Sequence, residues 1–377
     1  MAIGKKPCPG CGGPLHRGSP LCKSCCDRGS QAILAGTTPS PIVTPQQAIA
    51  EDRRQAADRA RYRALEVKYK ESLDLLRHYE ERADFITYAN DGINTFDISP
   101  KLPSGAAEGT VVVAASDWHI EEKVTLEQTS GLNEATLDSM KRRITRFFQS
   151  TLRLTQLLRQ DCHIDQMVMA LLGDFITNDI HEEFAENNQL LPMPALIEAE
   201  SWIISGLQFL LDESDLTITL PCHSGNHART TKDSRFSTEY GHSLEYLMYT
   251  HLADRFRNEE RLNFIIPKGY HSYVNVYDKV LRFHHGHNIR YSGGVGGIFI
   301  PAFKAIAQWN KARHADLDFF GHYHQSKDGG SFLSNGSGIG YNSFALGIKA
   351  DYEKPQQTLT LIDKRRGRTC TWPILLE

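Results

Sequence analysis

The sequence predicts an α/β fold of two packed sheets flanked by helices, and three observations carry that expectation. The runs Val111-Val-Val-Ala-Ala and Met167-Val-Met-Ala-Leu-Leu have the length and continuous hydrophobicity of strands buried on both faces. Helical patterns at residues 137–158 and 195–211 alternate with these strands, and later strands follow one another directly. Strand-like segments then end in polar clusters, as they do where a sheet delivers functional side chains to its carboxyl edge.

Taken in order, residues 1–30 hold Cys8-Pro-Gly-Cys11 and Cys22-Lys-Ser-Cys25-Cys26. Two C-x-x-C turns suit a structural Zn²⁺ held by Cys8, Cys11, Cys22 and Cys25, with Cys26 and His16 as possible replacements for one ligand. So small a ribbon-like finger needs the metal to hold it together. Its Lys5, Lys6, Arg17, Lys23 and Arg28 against Asp27 make it the most nucleic-acid-like part of the chain. Residues 31–46 contain three prolines in a short polar stretch and read as a linker. Residues 47–84, with neither Gly nor Pro, read as a long helix. Tyr62, Leu65, Tyr69, Leu76 and Tyr79 recur near a 3-4 spacing, which leaves open a short coiled coil and a homodimer through this helix.

The large domain spans residues 110–377. In the helix at 137–158, Met140, Ile144, Phe147 and Leu154 are expected inward, and Lys141, Arg142, Arg143 and Arg146 outward. Strands are expected at 167–172 and 216–222, a hairpin around Asp278-Lys279, and a helix over 299–313. Cys162, Cys222 and Cys370 stand singly in apolar surroundings, as reduced thiols do. The 377 residues are 40% hydrophobic and 23% charged, with a formal net charge of −3, which argues against a uniformly basic nucleic-acid coat. With no apolar core of signal-peptide length and no run near the ~20 residues of a membrane helix, the expected location is cytoplasmic and away from membranes.

Five polar clusters follow one another along the large domain. They are Ser116-Asp117-Trp118-His119, Gly173-Asp174, Gly225-Asn226-His227, His284-His285-Gly286-His287 and Gly321-His322-Tyr323-His324. Imidazole, carboxylate and amide oxygen without thiolate point to Mn²⁺, Fe²⁺, Zn²⁺ or Ni²⁺. Two such cations ~3.5–4 Å apart need an anion between them, and Asp174 is placed to supply it.

This ordered set resembles the calcineurin-like metallophosphoesterase family, whose pattern runs D-x-H, G-D, G-N-H, H-G and G-H-x-H. The resemblance implies a two-sheet sandwich flanked by helices and a dinuclear centre, with Mn²⁺ the favoured metal. Asp117, His119, Asp174 and His324 would bind one ion, and Asp174, Asn226, His285 and His322 the other. His285 is preferred to His284 and His287 because it precedes Gly286. His227 matches the family's non-ligand histidine, which protonates the leaving oxygen or stabilises the transition state. The family usually places an acid after it, where this chain has Ala228, so Asp179, His181 and Glu182 are candidates to orient His227. Arg229, Lys232 and Arg235 are candidate phosphate contacts, as is the glycine-rich stretch at 291–297.

The expected activity is phosphodiester hydrolysis by a metal-activated water, with a nuclease acting on DNA as the leading specialisation. The Asn335-Gly-Ser segment also looks like that of domains found in bacteriophage genomes, which would place the protein in a host bacterial cytoplasm. The alternatives are a phosphatase or phosphodiesterase acting on nucleotides, cyclic nucleotides or phosphoproteins, and a non-catalytic zinc-finger adaptor.

Overall fold

Val111, Val113 and Ala115 face one apolar layer and Val112 and Ala114 another, so the run at 111–115 belongs to a strand covered on both sides. The computed structural model describes residues 44–91, 107–291 and 297–377; the expected finger at 1–30 lies outside the described residues. The chain divides into two units, Met1–Ser99 and Pro100–Glu377.

In the first unit the described part is helix α1, Pro45–Asp91. Its start is set by Thr44, whose hydroxyl accepts from the Gln47 amide at 3.4 Å while the Gln47 side chain accepts from the Thr44 amide at 3.1 Å. Proline at the first helical position loses no bond there. Residues 44–87 are exposed, Tyr62, Leu65, Tyr69, Leu76 and Tyr79 included.

The second unit begins with β1 (Ala107–Ala115), α2 (Leu137–Leu158), β2 (Cys162–Leu171), the short α3 (Glu182–Asn187), α4 (Pro192–Glu213) and β3 (Thr217–Pro221). It continues with α5 (Leu244–Arg255), β4 (Leu262–Ile265), β5 (Ser272–Val276), β6 (Lys279–Phe283), α6 (Phe299–Trp309) and β7 (Leu317–Phe320). Then follow β8 (Lys327–Asp328), β9 (Phe332–Ser334), α7 (Ser343–Gly347), β10 (Gln356–Asp363) and β11 (Gly367–Leu375). Two mixed sheets result, in the orders β11-β10-β1-β2-β3-β4 and β5-β6-β7-β9-β8. β1 to β4 run parallel, as do β6, β7 and β9, while β10 and β11 run antiparallel to their neighbours.

The sheets meet through Val112, Ala114, Val168, Ala170 and Leu172 on one side and Leu281, Phe283, Phe319 and Leu333 on the other. Helices α2, α4 and α5 cover the outer face of the first sheet, and α6 that of the second, where Ala302 and Ile306 meet Phe320 and Phe332. The result is a sandwich with helices on both outer faces. The hairpin expected at Asp278-Lys279 joins β5 to β6 in register, Val276 opposite Lys279. At that same rim lies the turn between β10 and β11, with Lys364 over the ring of Tyr277. The site lies at the opposite rim. Cys162 and Cys222 are buried free thiols, and Cys370 is half-buried.

One expectation for α2 is corrected. Arg143 is not outward: it is 3% exposed, whereas Lys141, Arg142 and Arg146 are exposed. Its guanidinium donates to the Ile339 carbonyl at 2.7 Å, Asn133 Oδ1 at 2.9 Å and the Glu134 carbonyl at 3.1 Å, and pairs with Glu377. Helical periodicity put this position on the boundary of the apolar face, and the returning 339–341 segment covers it. Arg143→Ala should therefore lower stability by about 1–3 kcal/mol, because the buried acceptors at Ile339, Asn133 and Glu134 lose their donor. Lys141→Ala and Arg142→Ala should stay within about 0.5 kcal/mol. Urea midpoints of the three variants check this, and equal midpoints would contradict it.

Candidate metal centre

Every expected donor leaves the carboxyl end of a parallel strand. Asp117 and His119 follow β1, Asp174 follows β2, Asn226 and His227 follow β3, His285 follows β6, and His322 and His324 follow β7. Chain reversal at the strand ends is tight. Asp117, His119, Asp174, His322 and His324 all have left-handed backbones, with φ of 55°, 46°, 55°, 72° and 54°. Glycines let the loops touch: a Cβ on Gly225 would meet the Asp174 carboxylate, and one on Gly321 the Asp117 carboxylate. Backbone bonds then lock one loop to the next, from the Asp117 amide to the Gly173 carbonyl at 3.0 Å and from the His119 amide to the Asp174 carbonyl at 3.1 Å.

Three groups of buried or half-buried donors form, each with its atoms within 4.8 Å of one another: Asp117, His119 and His324; His119, Asp174 and His227; and Asp174, His285 and His322. They overlap through His119 and Asp174, giving candidate sites for a pair of transition-metal ions. His285 Nε2 lies 2.9 Å from Asp174 Oδ2 and 3.2 Å from Asn226 Oδ1, while its Nδ1 faces the Leu172 carbonyl at 2.6 Å. The other two histidines of that segment turn elsewhere. His284 faces Asp318 at 3.5 Å and His287 faces Glu239 at 3.3 Å.

A cation fits this arrangement. His119 Nε2, the ring nitrogen not engaged by Thr177, is buried without a hydrogen-bond partner, which is costly unless something accepts its lone pair. Burial pushes Asp117 up to about 7. Burial also opposes charge on His285, yet Asp174 and Asp117 outweigh it and raise the imidazolium to about 10. Asp174 is burdened by burial too, but His285 and His227 hold it well below the usual carboxylate range. Asp174 and His285 thus favour each other's charged forms across a short gap, and both would be available to hold a cation.

Several residues that hold the donors carry no sequence signal of their own. Thr177 faces His119 Nδ1 with its hydroxyl at 3.1 Å and His227 Nδ1 with its carbonyl at 3.0 Å. That carbonyl, rather than Asp179, His181 or Glu182, is the partner of His227 beside Ala228. Glu121 accepts from the Thr177 and Asn178 amides, both at 2.8 Å. Glu245, fully buried on α5, accepts from the Phe175 amide and the Gly225 amide, both at 2.7 Å. It clips the residue after Asp174 to the residue before Asn226, and burial raises its carboxyl to about 8. A charged residue in an amphipathic helix ordinarily reads as a solvated one, so only the structure reveals it.

The donors open into a cavity of about 410 Å³ lined by His181, Phe184, His227, Arg229, His324 and Phe344 among others. Arg229 donates to the Asn226 carbonyl at 2.6 Å. Lys232 and Arg235 are exposed and do not line it, and residues 292–296 of the glycine-rich stretch lie outside the described residues.

No protein-family model matches the chain, and no curated protein matches it. Among solved structures, vacuolar protein sorting 29 from Cryptosporidium parvum aligns over 71% of this chain and 97% of its own, at 13% identity and a TM-score of 0.29. A hypothetical protein from Pyrococcus horikoshii aligns over 71% and 89%, at 11% identity and a TM-score of 0.36. A conserved protein from Streptococcus pneumoniae, described as a predicted phosphoesterase, aligns over 71% and 99%, at 11% identity and a TM-score of 0.28. At these TM-scores the likeness adds nothing to the strand order described above. No helix among the described residues is long and apolar enough to cross a membrane.

Because glutamine offers one acceptor oxygen where Glu245 uses two, Glu245→Gln should loosen the Asp174 and Asn226 loops relative to each other. Mn²⁺ affinity measured by calorimetry should fall roughly 10–100-fold with the circular dichroism spectrum unchanged. Unaltered affinity would remove Glu245 from this role.

Proposed function

We propose that the protein is a metal-dependent phosphoesterase of the calcineurin-like kind, hydrolysing phosphate esters at a pair of divalent transition-metal ions. The observation that carries the reading is the convergence of buried donors, with Asp174 in two of the three groups and an unpartnered nitrogen on His119. In this reading Asp117, His119, Asp174 and His324 hold one ion, and Asp174, Asn226, His285 and His322 hold the other. Nitrogen and oxygen donors without thiolate suit Mn²⁺, with Fe²⁺, Zn²⁺ and Ni²⁺ as competitors. Bound there, the pair supplies Lewis acidity toward water and toward the phosphoryl oxygens.

The chain's own groups do the rest. Asp174, common to two of the three donor groups, would supply negative charge that offsets the repulsion of two cations held there. Thr177 and the Leu172 carbonyl, bonded to His119 and His285 at Nδ1, leave Nε2 of each ring as the donor. With one proton on Nδ1 directed at the Thr177 carbonyl, His227 would need a second on Nε2, as the imidazolium, to protonate the leaving oxygen; giving it up returns the neutral ring, the form that burial favours. Arg229 adds a positive charge to the cavity wall, where a phosphate would accept from it.

The cavity of about 410 Å³ is of small-ligand size. It favours a phosphatase or phosphodiesterase acting on small esters over a nuclease. Action on DNA would draw on a finger held by Cys8, Cys11, Cys22 and Cys25, outside the described residues.

Metal-stripped protein should recover turnover of a small aryl phosphodiester when Mn²⁺ is returned, and cut single- and double-stranded DNA poorly. Asp174→Ala should lose bound metal and turnover together. His227→Ala should keep its metal content, read by elemental analysis, and lose about 10²–10⁴-fold in turnover. Turnover indifferent to Mn²⁺ sinks the metal reading; a fully active His227 variant sinks only the role of that residue.

A further inference from the structure

The cavity has two phenylalanines at its margin that no step above uses. Phe184, on α3, lies with its ring centre 5.4 Å from that of His227. From there rings follow one another: His227 to His119 at 4.8 Å, His119 to His324 at 5.1 Å, and His324 to Phe344 on α7 at 4.9 Å. The donor histidines form the middle of this row and carbon rings form its ends. Both phenylalanines are half-buried and line the cavity.

The segments bearing them are fastened to one place. Beyond α3, the Gln189 amide donates to the Glu121 carbonyl at 2.7 Å and Asn187 Nδ2 to the Lys123 carbonyl at 2.6 Å. Asn342 caps α7, accepting from the Ala345 amide at 3.1 Å, while its Nδ2 donates to Glu122 at 3.0 Å. The two aromatic platforms are therefore set by residues 121–123, next to the donor His119.

Charge decides what the Phe184 end receives. Residues 179–189 carry Asp179, Glu182, Glu183 and Glu186 with neither lysine nor arginine. A phosphate chain laid across this margin would be repelled, whereas an uncharged planar group would gain the stacking face of Phe184. Arg229 lines the cavity as well and offers its charge to the phosphate.

We propose that the substrate is a nucleoside phosphoester whose base stacks on Phe184, with Phe344 closing the other end of the row; this rests on the phosphoesterase reading above. Sequence-independent stacking follows, because every base has a π face.

The test compares thymidine 5′-(4-nitrophenyl phosphate) with methyl 4-nitrophenyl phosphate, two diesters that release the same phenolate, using full-length Mn²⁺-loaded protein. The nucleoside ester should be favoured in kcat/KM by about tenfold or more, the order one stacked base supplies. Phe184→Ala should bring that ratio toward one, and Phe184→Tyr should keep it. If the wild type hydrolyses neither diester nor 4-nitrophenyl phosphate, the phosphoesterase reading falls and takes the inference with it; if it hydrolyses only that monoester, catalysis stands and the base platform for a nucleoside diester is overturned. If it hydrolyses both at similar kcat/KM, or if Phe184→Ala retains the full ratio, catalysis stands and the base platform is overturned.

Discussion

The centre depends on backbone held where side chains seldom allow it. Five donor residues sit in the left-handed region, each at a cost of roughly 1–3 kcal/mol for a residue other than glycine. What holds them is mutual. The His322 amide donates to both oxygens of Asp117 at 3.0 Å, the Asp117 carbonyl accepts from the Gly338 amide at 2.9 Å, and Ser116 Oγ donates to Asp117 Oδ2 at 2.5 Å. Asn335 Nδ2 then reaches Ser116 Oγ at 2.9 Å. Each loop supports its neighbour's strain.

Burial of so many carboxylates follows from the same arrangement. Asp117, Glu121, Glu122, Asp174 and Glu245 are all nearly inaccessible, yet only Asp174 has its ionised form strongly favoured, by the histidines around it. The glutamates survive inside because backbone amides and Asn342 donate to them, and burial still raises Glu121 and Glu122 to about 7. The ionised Asp174 favours a cation, and the imidazoles around it narrow the class to transition metals.

Much of the large domain was legible in the sequence because its strongest signals are local. The run at 111–115 and the helix Leu137–Leu158 emerge where hydrophobic periodicity puts them, and the hairpin at Asp278-Lys279 emerges where its turn residues put it. The donor clusters were legible because glycine and a polar residue at a strand end are adjacent in sequence. Harder to read were the contacts between distant segments. Arg143 meets a carbonyl 196 positions away, Glu245 reaches the Asp174 loop 70 positions away, and α5, β4 and the β10–β11 pair have no motif to announce them. The partner of His227 escaped because it is a backbone carbonyl, which any residue type presents.

Polarity of the sheets has a practical consequence. All donors leave from one rim, whereas the tight turns at Asp278-Lys279 and at 364–366 occupy the other, separated from the centre by the length of the strands. Exposed hairpin tips of this kind tolerate insertions better than any other part of a sheet protein. A fluorophore, an affinity handle or a whole reporter domain placed at 364–366 would therefore sit across the sheets from the candidate metal centre, at the far end of the strands from the cavity.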